Sequence, residues 1–436
     1  MSTIAAISSP IGVGGIGIVR VSGGEALRIA DAIFNFDRPS AWIPLHMHLG
    51  TFCARDFKDK GYAVYFPAKQ AYTGEDTIEF YLHGGVRIMR GALETIIEMG
   101  AELASKGEFT RRAFLAGRLS LADAEGVIDM INAESAAGIR AAYSLMNGDV
   151  TRRIDSIADE LGEAIAGLEA TLDYPDEMED ETLPPLRDTL IRLVGRTDDL
   201  LATARRGRIA KYGITAALVG APNAGKSSLL NAMLGERRAI VAAVAGTTRD
   251  TVEGSLEYNG IKINLIDTAG LRENCDDAVE EEGVERARRA AQSADIIIHV
   301  IDKTAETDDG AEFFGKPVFS VFNKCDVAGF AIPRIMYGFA VSAKTGEGVD
   351  RLVEAIADLY KRSGGESGEL ITNERHISAL ESAKNSLSSA IASLDGTIDC
   401  TLVDLRAAYD ALGQITGRTA KEDVVNSIFD RFCVGK

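Results

Sequence analysis

Cysteine, basic charge and long apolar stretches are all scarce in this sequence of 436 residues. Its five cysteines (Cys53, Cys275, Cys325, Cys400 and Cys433) are scattered and never spaced as C-x-x-C. This pattern argues against a disulfide framework or a cysteine zinc site and favours free thiols in a reducing cytoplasm. The sequence contains no run of about 18 apolar residues, so no membrane helix is expected. The N-terminus lacks the charged region of a signal peptide. We therefore expect a cytoplasmic protein that is not embedded in a membrane.

The scarcity of basic charge limits how the chain could hold a nucleic acid. Acidic residues number 65 against 47 basic ones, which gives a net charge of −18. A protein that binds RNA through a broad basic face has the opposite balance. Contact with RNA would have to come from a local patch or from a partner. One basic cluster is Arg111, Arg112 and Arg118; a second cluster, Arg205, Arg206, Arg208 and Lys211, is interpreted as a solvated face or a linker.

The length predicts two or three domains. Residues 1–118 combine short β-type runs with a helical segment at 86–99, which indicates an α+β domain. Residues 119–212 and 363–436 have helical apolar periodicity, and residues 213–362 alternate strand-like and helix-like segments, which predicts a mostly parallel sheet covered by helices. The simplest architecture is an all-α helical domain, built from two parts of the chain, into which an α/β P-loop domain is inserted. The expected insertion points are Tyr212-Gly213 and the Gly-rich stretch 363–368.

Two local expectations concern helix ends. The acidic stretch 173–181 and Pro184-Pro185 should break the helix that carries Ile154 and Leu161, so that a second helix begins near Leu186. Thr419-Ala-Lys-Glu422 resembles a capping box at the start of the last helix.

A phosphate-binding motif follows the first strand of the α/β segment. Residues 220–227 (GAPNAGKS) fit G-x-x-x-x-G-K-[ST] between a strand and a helix, the context that this motif needs. Backbone N–H groups and the helix N-terminus would hold phosphate. Lys226 would contact the β- and γ-phosphates, and the Ser227 hydroxyl would coordinate Mg²⁺. We assign Asn223, Ala224, Gly225 and Ser228 to the same nucleotide site.

Four further elements occur in the order expected of a GTP-binding domain: 246–250 (GTTRD), 267–270 (DTAG), 323–326 (NKCD) and 342–344 (SAK). The loop 246–250 (GTTRD) offers Thr248 as a second Mg²⁺ ligand, and Asp267 could hold water on that ion. Asp326 could accept two hydrogen bonds from guanine that adenine cannot donate, which selects GTP over ATP. The predicted nucleotide contacts are Ala242, Ala243, Val244, Ala245, Gly246, Thr247, Thr248, Asp267, Thr268, Ala269, Gly270, Asn323, Lys324, Asp326, Ser342, Ala343 and Lys344.

The expected catalytic side chain is missing from this set. Leu271 follows the DTAG motif where Ras-like proteins place a glutamine that orients water. Water must therefore be positioned from elsewhere, by a bound ion or by a partner.

The flanking segments resemble one family over the whole chain. Segments 3–23 (TIAAISSPIGVGGIGIVRVSG), 72–79 (YTGEDTIE) and 107–125 (GEFTRRAFLAGRLSLADAE), with the ending 433–436 (CVGK), are similar to the tRNA-modification GTPases called MnmE or TrmE. The resemblance implies an N-terminal domain, 1–118, that binds folate and dimerises. It also implies a helical domain, 119–212 and 363–436, that carries an inserted G domain, 213–362.

The resemblance also implies an activity and partners. Such proteins form a homodimer and, in a heterotetramer with an MnmG-type flavoprotein, add an aminomethyl-type (carboxymethylaminomethyl) group to C5 of the wobble uridine, U34, of certain tRNAs. The added carbon comes from a tetrahydrofolate derivative, 5-formyl- or 5,10-methylene-tetrahydrofolate. GTP hydrolysis requires Mg²⁺, is stimulated by K⁺ and proceeds when two G domains meet.

Particular residues match the positions that serve these functions in the family. Arg20, Glu79 and Lys436 match folate contacts, and Arg118 stands where the family usually has lysine, which keeps the charge but changes the contact geometry. Asn223, Ala242, Val244 and Thr247 match K⁺ contacts. Glu280 matches the glutamate that acts in catalysis through water, with Glu281 and Glu282 as competitors.

Cys433 has two interpretations. In the family this cysteine is a candidate nucleophile, since a thiolate could add to a uridine ring carbon. The alternative is a cysteine that packs or lines the pocket, and the sequence does not favour one over the other.

Two other functions compete with the tRNA-modification enzyme. A GTPase that binds RNA in ribosome assembly should bring a KH-like segment or a strongly basic domain, whereas the helical domain here is acidic. A signalling switch with no output beyond GTP turnover would not need the folate-type motifs.

Overall fold

The computed structural model describes residues 1–38, 41–173, 175–221, 223–235, 254–267, 288–289, 291–302, 315–327, 338–362, 369–394, 396 and 398–436. Within these ranges, the side chains of 173, 175–184, 361 and 362 are not described.

The chain forms two compact units. The first consists of Met1–Ile128, Leu145–Thr197 and Ala379–Lys436, and the second of Asp129–Ser144 and Asp198–Ser378. Each unit therefore combines segments that are distant in sequence. The units are packing units and divide the chain inside helices, so the domain boundaries near 118, 212 and 362 stay predictions.

A seven-stranded sheet forms the N-terminal part of the first unit. Its order is β3-β4-β5-β6-β2-β1-β7, antiparallel throughout except for the β1–β7 pair. The strands are β1 Ile4–Ile7, β2 Gly14–Ser22, β3 Phe34–Phe36, β4 Met47–Cys53, β5 Lys58–Phe66, β6 Thr77–Gly84 and β7 Glu102–Leu103.

Two helices cover one face of this sheet. They are α1 Ala26–Ile33 and α2 Val86–Glu98. Their apolar residues form one buried cluster with alternate residues of the strands, such as Val19 and Phe80. Successive strand residues point to opposite faces, so Arg20 and Glu79, one position away from these core residues, project from the other face. The α+β prediction for this part of the chain is confirmed.

The rest of the first unit is helical. Its helices, some of which continue into the second unit, are α3 Glu108–Leu115, α4 Leu121–Asn132, α6 Asp149–Asp173, α7 Pro175–Ala202, α11 Glu374–Ser393, α12 Ile398–Thr416 and α13 Glu422–Phe429. Ile154, Ile157, Leu161 and Leu168 of α6 are all buried, as their spacing predicts. In the described part of the chain, no helix has the length and apolar composition needed to cross a membrane.

The expected break after the helix that carries Ile154 and Leu161 is confirmed, because α6 ends at Asp173, where the acidic stretch begins. The expected start of the next helix near Leu186 is wrong. Helix α7 begins at Pro175 and continues through Pro184-Pro185, although two prolines remove two backbone donors. Leu186, Leu190 and Leu193 of α7 are buried.

The capping box at Thr419 does not form. The N-terminal cap of α13 is Lys421, without a side-chain hydrogen bond. The Thr419 hydroxyl donates instead to the carbonyl of Asp410, at 2.7 Å. The Thr419 hydroxyl therefore bonds to the preceding helix and does not cap the start of α13.

The second unit is built on a six-stranded sheet. Its order is β13-β12-β11-β8-β10-β9, parallel except for the β9–β10 hairpin. The strands are β8 Ile214–Val219, β9 Gly254–Tyr258, β10 Ile261–Asp267, β11 Ile296–Asp302, β12 Val318–Asn323 and β13 Gly338–Ala340. Its helices include α5 Ala136–Met146, α8 Ala204–Tyr212, α9 Lys226–Leu234 and α10 Val349–Arg362. The predicted α/β class is confirmed for this unit.

Candidate functional site

The loop between β8 and α9 has the backbone shape of a phosphate-binding loop. Gly220, Asn223 and Gly225 have positive φ angles of 145°, 65° and 92°. A Cβ atom on Gly220 would lie 2.2 Å from the carbonyl oxygen of Val300, so only glycine fits there. Asn223 has a side chain and a left-handed backbone, an uncommon combination that tight turns impose.

Lys226 and Ser227 open helix α9. Lys226 is buried, and its Nζ donates to the carbonyls of Gly220 and Ala221, both at 2.8 Å. These contacts fold the lysine back over the loop. The exposed Ser227 donates its hydroxyl to Oδ2 of Asp267 at 2.5 Å. Two oxygen-bearing residues expected near Mg²⁺ thus meet from two separate elements at the helix N-terminus, where anions are favoured.

The loop after β12 joins two other loops through one side chain. Asn323 is buried, and its Nδ2 donates to the carbonyl of Ala224 at 2.9 Å. Its Oδ1 accepts the N–H groups of Lys324, at 2.8 Å, and Ala343, at 3.1 Å. The phosphate-loop motif, the 323–326 motif and the 342–344 motif therefore meet at Asn323.

The remaining residues of these loops divide by exposure. Asp326 and Lys344 are exposed, whereas Ser342 is buried and its N–H donates to the carbonyl of Glu347. Burial, together with the charges of Glu347 and Asp326, raises the pKa of the Cys325 thiol. This thiol is therefore protonated near neutral pH, which makes it a poor nucleophile.

A second cluster lies on the N-terminal sheet. The Arg20 guanidinium donates from Nε to Oε1 of Glu79 at 2.8 Å, and Nη2 approaches the same oxygen at 2.7 Å. The guanidinium stands 5.5 Å from the centre of the Phe109 ring, a distance compatible with a cation–π contact. The predicted pair Arg20 and Glu79 is thus held on β2 and β6, which are neighbours with these two residues in register.

Two tyrosines extend this cluster. Tyr81 donates its hydroxyl to Oε2 of Glu79 at 2.6 Å, and burial together with this carboxylate raises the pKa of Tyr81 to about 12. Tyr72 donates to the Thr110 hydroxyl at 3.1 Å. Burial raises the pKa of Tyr72 too, with Thr110 and Arg20 opposing the shift. Both hydroxyls therefore remain donors across the physiological pH range.

The 433–436 segment lies against the same cluster. The N–H of Phe109 donates to the backbone oxygen of Lys436 at 3.2 Å, and the Ser8 hydroxyl donates to the carbonyl of Gly435 at 3.0 Å. A Cβ atom on Gly435 would lie 2.3 Å from the Ile7 carbonyl oxygen. Cys433 is exposed, and its carbonyl accepts the Gly107 N–H at 3.4 Å. Phe109 therefore connects the Arg20–Glu79 pair to the segment that carries Cys433 and Lys436.

Arg118, the fourth residue expected in this site, contacts a neighbouring turn. Its Nη2 donates to the carbonyl of Ala68 at 2.6 Å. A Cβ atom on Gly74 would lie 3.2 Å from its Nε. The contact geometry that the sequence left open for arginine at this position is therefore a backbone contact with the 68–74 turn.

Comparison with known proteins gives agreement along the whole chain. Residues 3–118 match the family model described as "GTP-binding protein TrmE N-terminus", and residues 121–433 match "MnmE helical domain". A protein of Dichelobacter nodosus named tRNA modification GTPase MnmE is 40% identical over 451 residues, covering 100% of this chain and 99% of its own length. The proteins of that name from Heliobacterium modesticaldum, at 39%, and Symbiobacterium thermophilum, at 40%, also cover 100% of this chain and 99% of their own lengths.

The chain belongs to the MnmE family. Among solved structures, the G domain of the T. maritima FeoB iron transporter is 28% identical, with 34% of this chain and 98% of that chain covered, at a TM-score of 0.24. Family membership weakens the ribosome-assembly alternative, because the matched regions include both segments that flank the G domain.

Part of the predicted MnmE site lies outside the described residues. These predictions concern Ala242 to Thr248, Thr268 to Gly270 and Glu280, with its competitors Glu281 and Glu282. Their assignments stay predictions.

Sequence reasoning missed several residues that the fold brings to these sites. Asp302, at the end of β11, accepts a hydrogen bond from Lys324 Nζ at 2.5 Å. Phe109 and Tyr81 stand beside the predicted Arg20–Glu79 pair. Tyr81 could have been found, since residues two apart on a strand share a face. Asp302 and Phe109 could not, because no spacing rule connects them to their partners.

Proposed function

We propose that this chain binds and hydrolyses GTP in the cytoplasm and, with an MnmG-type flavoprotein, adds a carboxymethylaminomethyl-type group to C5 of U34 in certain tRNAs. The single observation that supports this best is the meeting of three nucleotide-type loops at Asn323 in a chain of the MnmE family. Because the exposed Asp326 follows this junction, its carboxylate is available to read guanine.

The nucleotide would be held by the backbone of residues 223–228, with Lys226 directed to the phosphates. Lys226 now uses its ammonium group on two carbonyls of its own loop, and phosphate oxygens would replace them. Ser227 would coordinate Mg²⁺ directly and Asp267 through water, which fits their present contact. When bound, Mg²⁺ neutralises charge on the phosphate oxygens.

Glu280 is the proposed residue that orients the attacking water, while K⁺ at Asn223 and the 242–247 loop would supply positive charge. An interaction made only in the transition state changes kcat rather than affinity. Single alanine variants at Glu280, Glu281 and Glu282, measured at saturating GTP and K⁺, separate the assignments. A large loss of kcat confined to Glu280 is expected, and equal small losses at all three would leave only an acidic patch.

The Arg20–Glu79 cluster is the proposed folate site. Glu79 can accept hydrogen bonds from the amino groups of a pterin, while Arg20, Tyr72 and Tyr81 donate. Phe109 adds an aromatic wall beside Arg20. Cys433 is exposed near this cluster. A Cys433→Ser variant would test whether this cysteine acts as a nucleophile or only lines the pocket.

The folate proposal is tested with Arg20→Ala. Removing the guanidinium eliminates a charged donor and leaves Glu79 without its main partner, so 5-formyltetrahydrofolate should no longer bind in calorimetry. GTP binding should persist, because the two sites draw on different residues. Arg90→Ala, an exposed arginine of α2, is the matched control. Loss of both ligands in Arg20→Ala alone would point to misfolding.

The enzymatic proposal is tested by nucleoside analysis of tRNA. Cells that lack this chain should lose the modified wobble uridine, and the wild-type chain should restore it. Lys226→Ala should not restore it, whereas Lys421→Ala, at an exposed lysine of the other unit, should. Unchanged nucleoside content in the deletion strain would contradict the proposal.

A further inference from the structure

The tip of the β9–β10 hairpin lies against the N-terminus of helix α5. Asn259 and Gly260 form its two-residue turn, with φ angles of 51° and 80°. Positive φ at both positions matches the twist of a hairpin, and Asn-Gly is the favoured sequence. The carbonyl of Gly260 accepts the N–H of Ala137 at 2.8 Å. The turn thereby caps one of the free N–H groups at the start of α5.

Two side-chain contacts flank this bond. Glu257 of β9 accepts the N–H of Ala136 at 3.3 Å, and Lys262 of β10 forms an ion pair with Glu134. A Cβ atom on Gly260 would lie 3.1 Å from the Cβ of Ala136, closer than ordinary van der Waals contact. A methyl group at Gly260 would therefore force the turn and the helix apart by a few tenths of an ångström.

Helix α5 is also fixed to the sheet by its apolar face. Ala137 and Ala141 are 2% and 3% exposed and belong to the same buried cluster as Ile214, Ile261 and Ile263. Although the sequence placed this segment with the helical domain, its packing makes it part of the second unit. A displacement of β10 would therefore directly change the packing of α5.

The opposite end of β10 reaches the nucleotide site. Asp267, its last residue, accepts the Ser227 hydrogen bond and is 1% exposed. Between the two ends, β10 pairs with β8 from Ile263 to Asp267, and Ile263 and Leu265 are fully buried. Seven residues of strand span about 20 Å. One rigid strand therefore connects the Ser227–Asp267 contact to the turn at Gly260.

We infer that the Gly260–α5 contact couples nucleotide occupancy to the order of helix α5. Nucleotide and Mg²⁺ would fix Ser227 and Asp267, and through β10 they would hold Gly260 more firmly on Ala137. The coupling is reciprocal: if nucleotide binding makes α5 more ordered, then ordering α5 increases the affinity for nucleotide. The inference rests on the proposed GTP binding, and it concerns how that same site is regulated.

Hydrogen exchange on the full-length chain tests this coupling. Exchange is compared without nucleotide and with saturating GDP and Mg²⁺, which avoids turnover. Amides of 136–146 should exchange at least about fivefold more slowly with GDP, the lower end of common coupling strengths. Gly260→Ala should abolish this protection, because its methyl group meets Ala136, and should weaken GDP binding by a similar factor.

Asn259→Ala is the matched control. It strains the neighbouring left-handed position of the same turn, but it adds no atom toward α5 and should keep the protection. The double variant Gly260→Ala/Ala136→Gly removes the colliding methyl group and should recover it. If Gly260→Ala does not fold, Glu134→Gln/Lys262→Gln breaks the ion pair without straining the turn and should reduce the protection partially.

The outcomes separate the coupling from the proposed function. GDP that binds and protects residues 223–228 while leaving 136–146 unchanged would overturn the coupling and leave the nucleotide proposal standing. Equal loss of protection in Gly260→Ala and Asn259→Ala would also overturn it, because turn strain would then explain the effect. Failure of GDP to bind in calorimetry would contradict the proposed function, and the coupling with it.

Discussion

Asn323 and Asp326 lie three residues apart in one loop and differ in exposure. Asn323 is 2% exposed and uses both ends of its amide on neighbouring loops, whereas Asp326 is exposed. A buried amide that satisfies backbone groups holds a loop in place. An exposed carboxylate remains free to recognise a ligand. The same motif therefore combines a residue that organises the site with one that can read the base.

Asp326→Asn should weaken GTP binding strongly while leaving the fold intact. An amide would set a donor against the donors of guanine, and an unpaired buried donor costs about 1–3 kcal/mol, or about 5- to 150-fold in affinity. Calorimetric titration with GTP measures this loss. A xanthine nucleotide, which carries an oxygen in place of the amino group, should bind the variant better than GTP. Unchanged GTP affinity would contradict the assignment of Asp326.

Arg112 should be the arginine of its cluster that matters for stability. It is 6% exposed and contacts Glu75 at 2.9 Å, Glu108 at 2.8 Å and the Ser2 carbonyl at 2.7 Å. Arg112→Met would leave two carboxylates without their partner and should cost about 1–3 kcal/mol. Arg111, whose nearest ion-pair distance is 4.0 Å, to Glu422, is the matched control. In calorimetry, the free energy of unfolding of Arg111→Met should differ from that of the wild type by no more than about 0.5 kcal/mol.

The same ion pair gives the first unit an acid-sensitive contribution. Burial favours the neutral form of Glu108, but hydrogen bonds from the Ser105 N–H and from Arg112 outweigh it and lower the pKa of Glu108 from 4.5. A lowered carboxyl pKa stabilises the fold above the unfolded value, and that stability is lost as pH falls through the folded value. Arg112→Met removes part of this contribution, so the difference in stability between variant and wild type should be smaller below pH 5 than at neutral pH, which thermal unfolding at both pH values would detect.

Residue roles were predictable from the sequence only where a motif fixes them. The 220–227 pattern located the loop that contains Asn223 and Gly225, because such a loop needs small residues and left-handed backbone. The same pattern could not reveal that Asn323 closes on Ala224, since the two are 99 positions apart. Asp302 and Phe109 were missed for the same reason, because tertiary packing alone brings them to Lys324 and Arg20.

At the scale of elements, the phosphate loop depends on the helix that follows it. Gly225 is the N-terminal cap of α9, and a Cβ atom there would lie 2.2 Å from the Asn323 Nδ2 that holds Ala224. Gly225→Ala should therefore destabilise the second unit and abolish nucleotide binding in calorimetry. Gly346→Ala is the control: its φ is also positive, at 81°, but its Cβ would meet open space. That variant should lose only about 1 kcal/mol of stability. Equal loss of nucleotide binding in both would show that backbone strain, not collision with Asn323, is responsible.

Helix boundaries show where local sequence rules stop being sufficient. Periodicity correctly placed Ile154, Ile157, Leu161 and Leu168 of α6 in the core, since an apolar stripe must face a core whatever the exact helix ends. It could not show that α7 continues through Pro184-Pro185, nor that Thr419 would prefer the Asp410 carbonyl. It also separated residues 129–144 from the G domain, because a helix that packs on a sheet and one that packs in a bundle have the same periodicity.

At the scale of the whole molecule, the net charge of −18 and the family's tRNA substrate have to be reconciled. A strongly acidic chain repels a polyanion except where a local patch or a partner supplies positive charge. The buried ion pairs of Arg112 remove it from the first basic cluster, and Lys211 is paired with Asp129. These ion pairs reduce the positive charge that the chain itself can offer to a tRNA. Of the two sources of positive charge that the sequence left open, they favour a partner over a local patch of this chain.

A monovalent cation in the phosphate loop should control the rate of GTP hydrolysis. Leu271 stands where a water-orienting glutamine is expected, so the charge that develops on phosphate needs another source of stabilisation. Asn223 is exposed in the phosphate loop with a left-handed backbone, and its amide oxygen can contribute to a monovalent cation site there. A cation at this position would act as an arginine finger does.

Replacing K⁺ with Na⁺ at equal ionic strength should therefore slow hydrolysis by about tenfold or more. The smaller ion fits the same oxygens less well, and pairing of two G domains should weaken with it, which analytical ultracentrifugation with a non-hydrolysable GTP analogue would register. Asn223→Ala should hydrolyse slowly in both salts while keeping its affinity for GDP within a fewfold of wild type, since its loss removes the cation and not the phosphate contacts. Equal rates for the wild type in K⁺ and Na⁺ would remove the cation from the mechanism, and Glu280 or a partner would then have to supply all of the missing assistance.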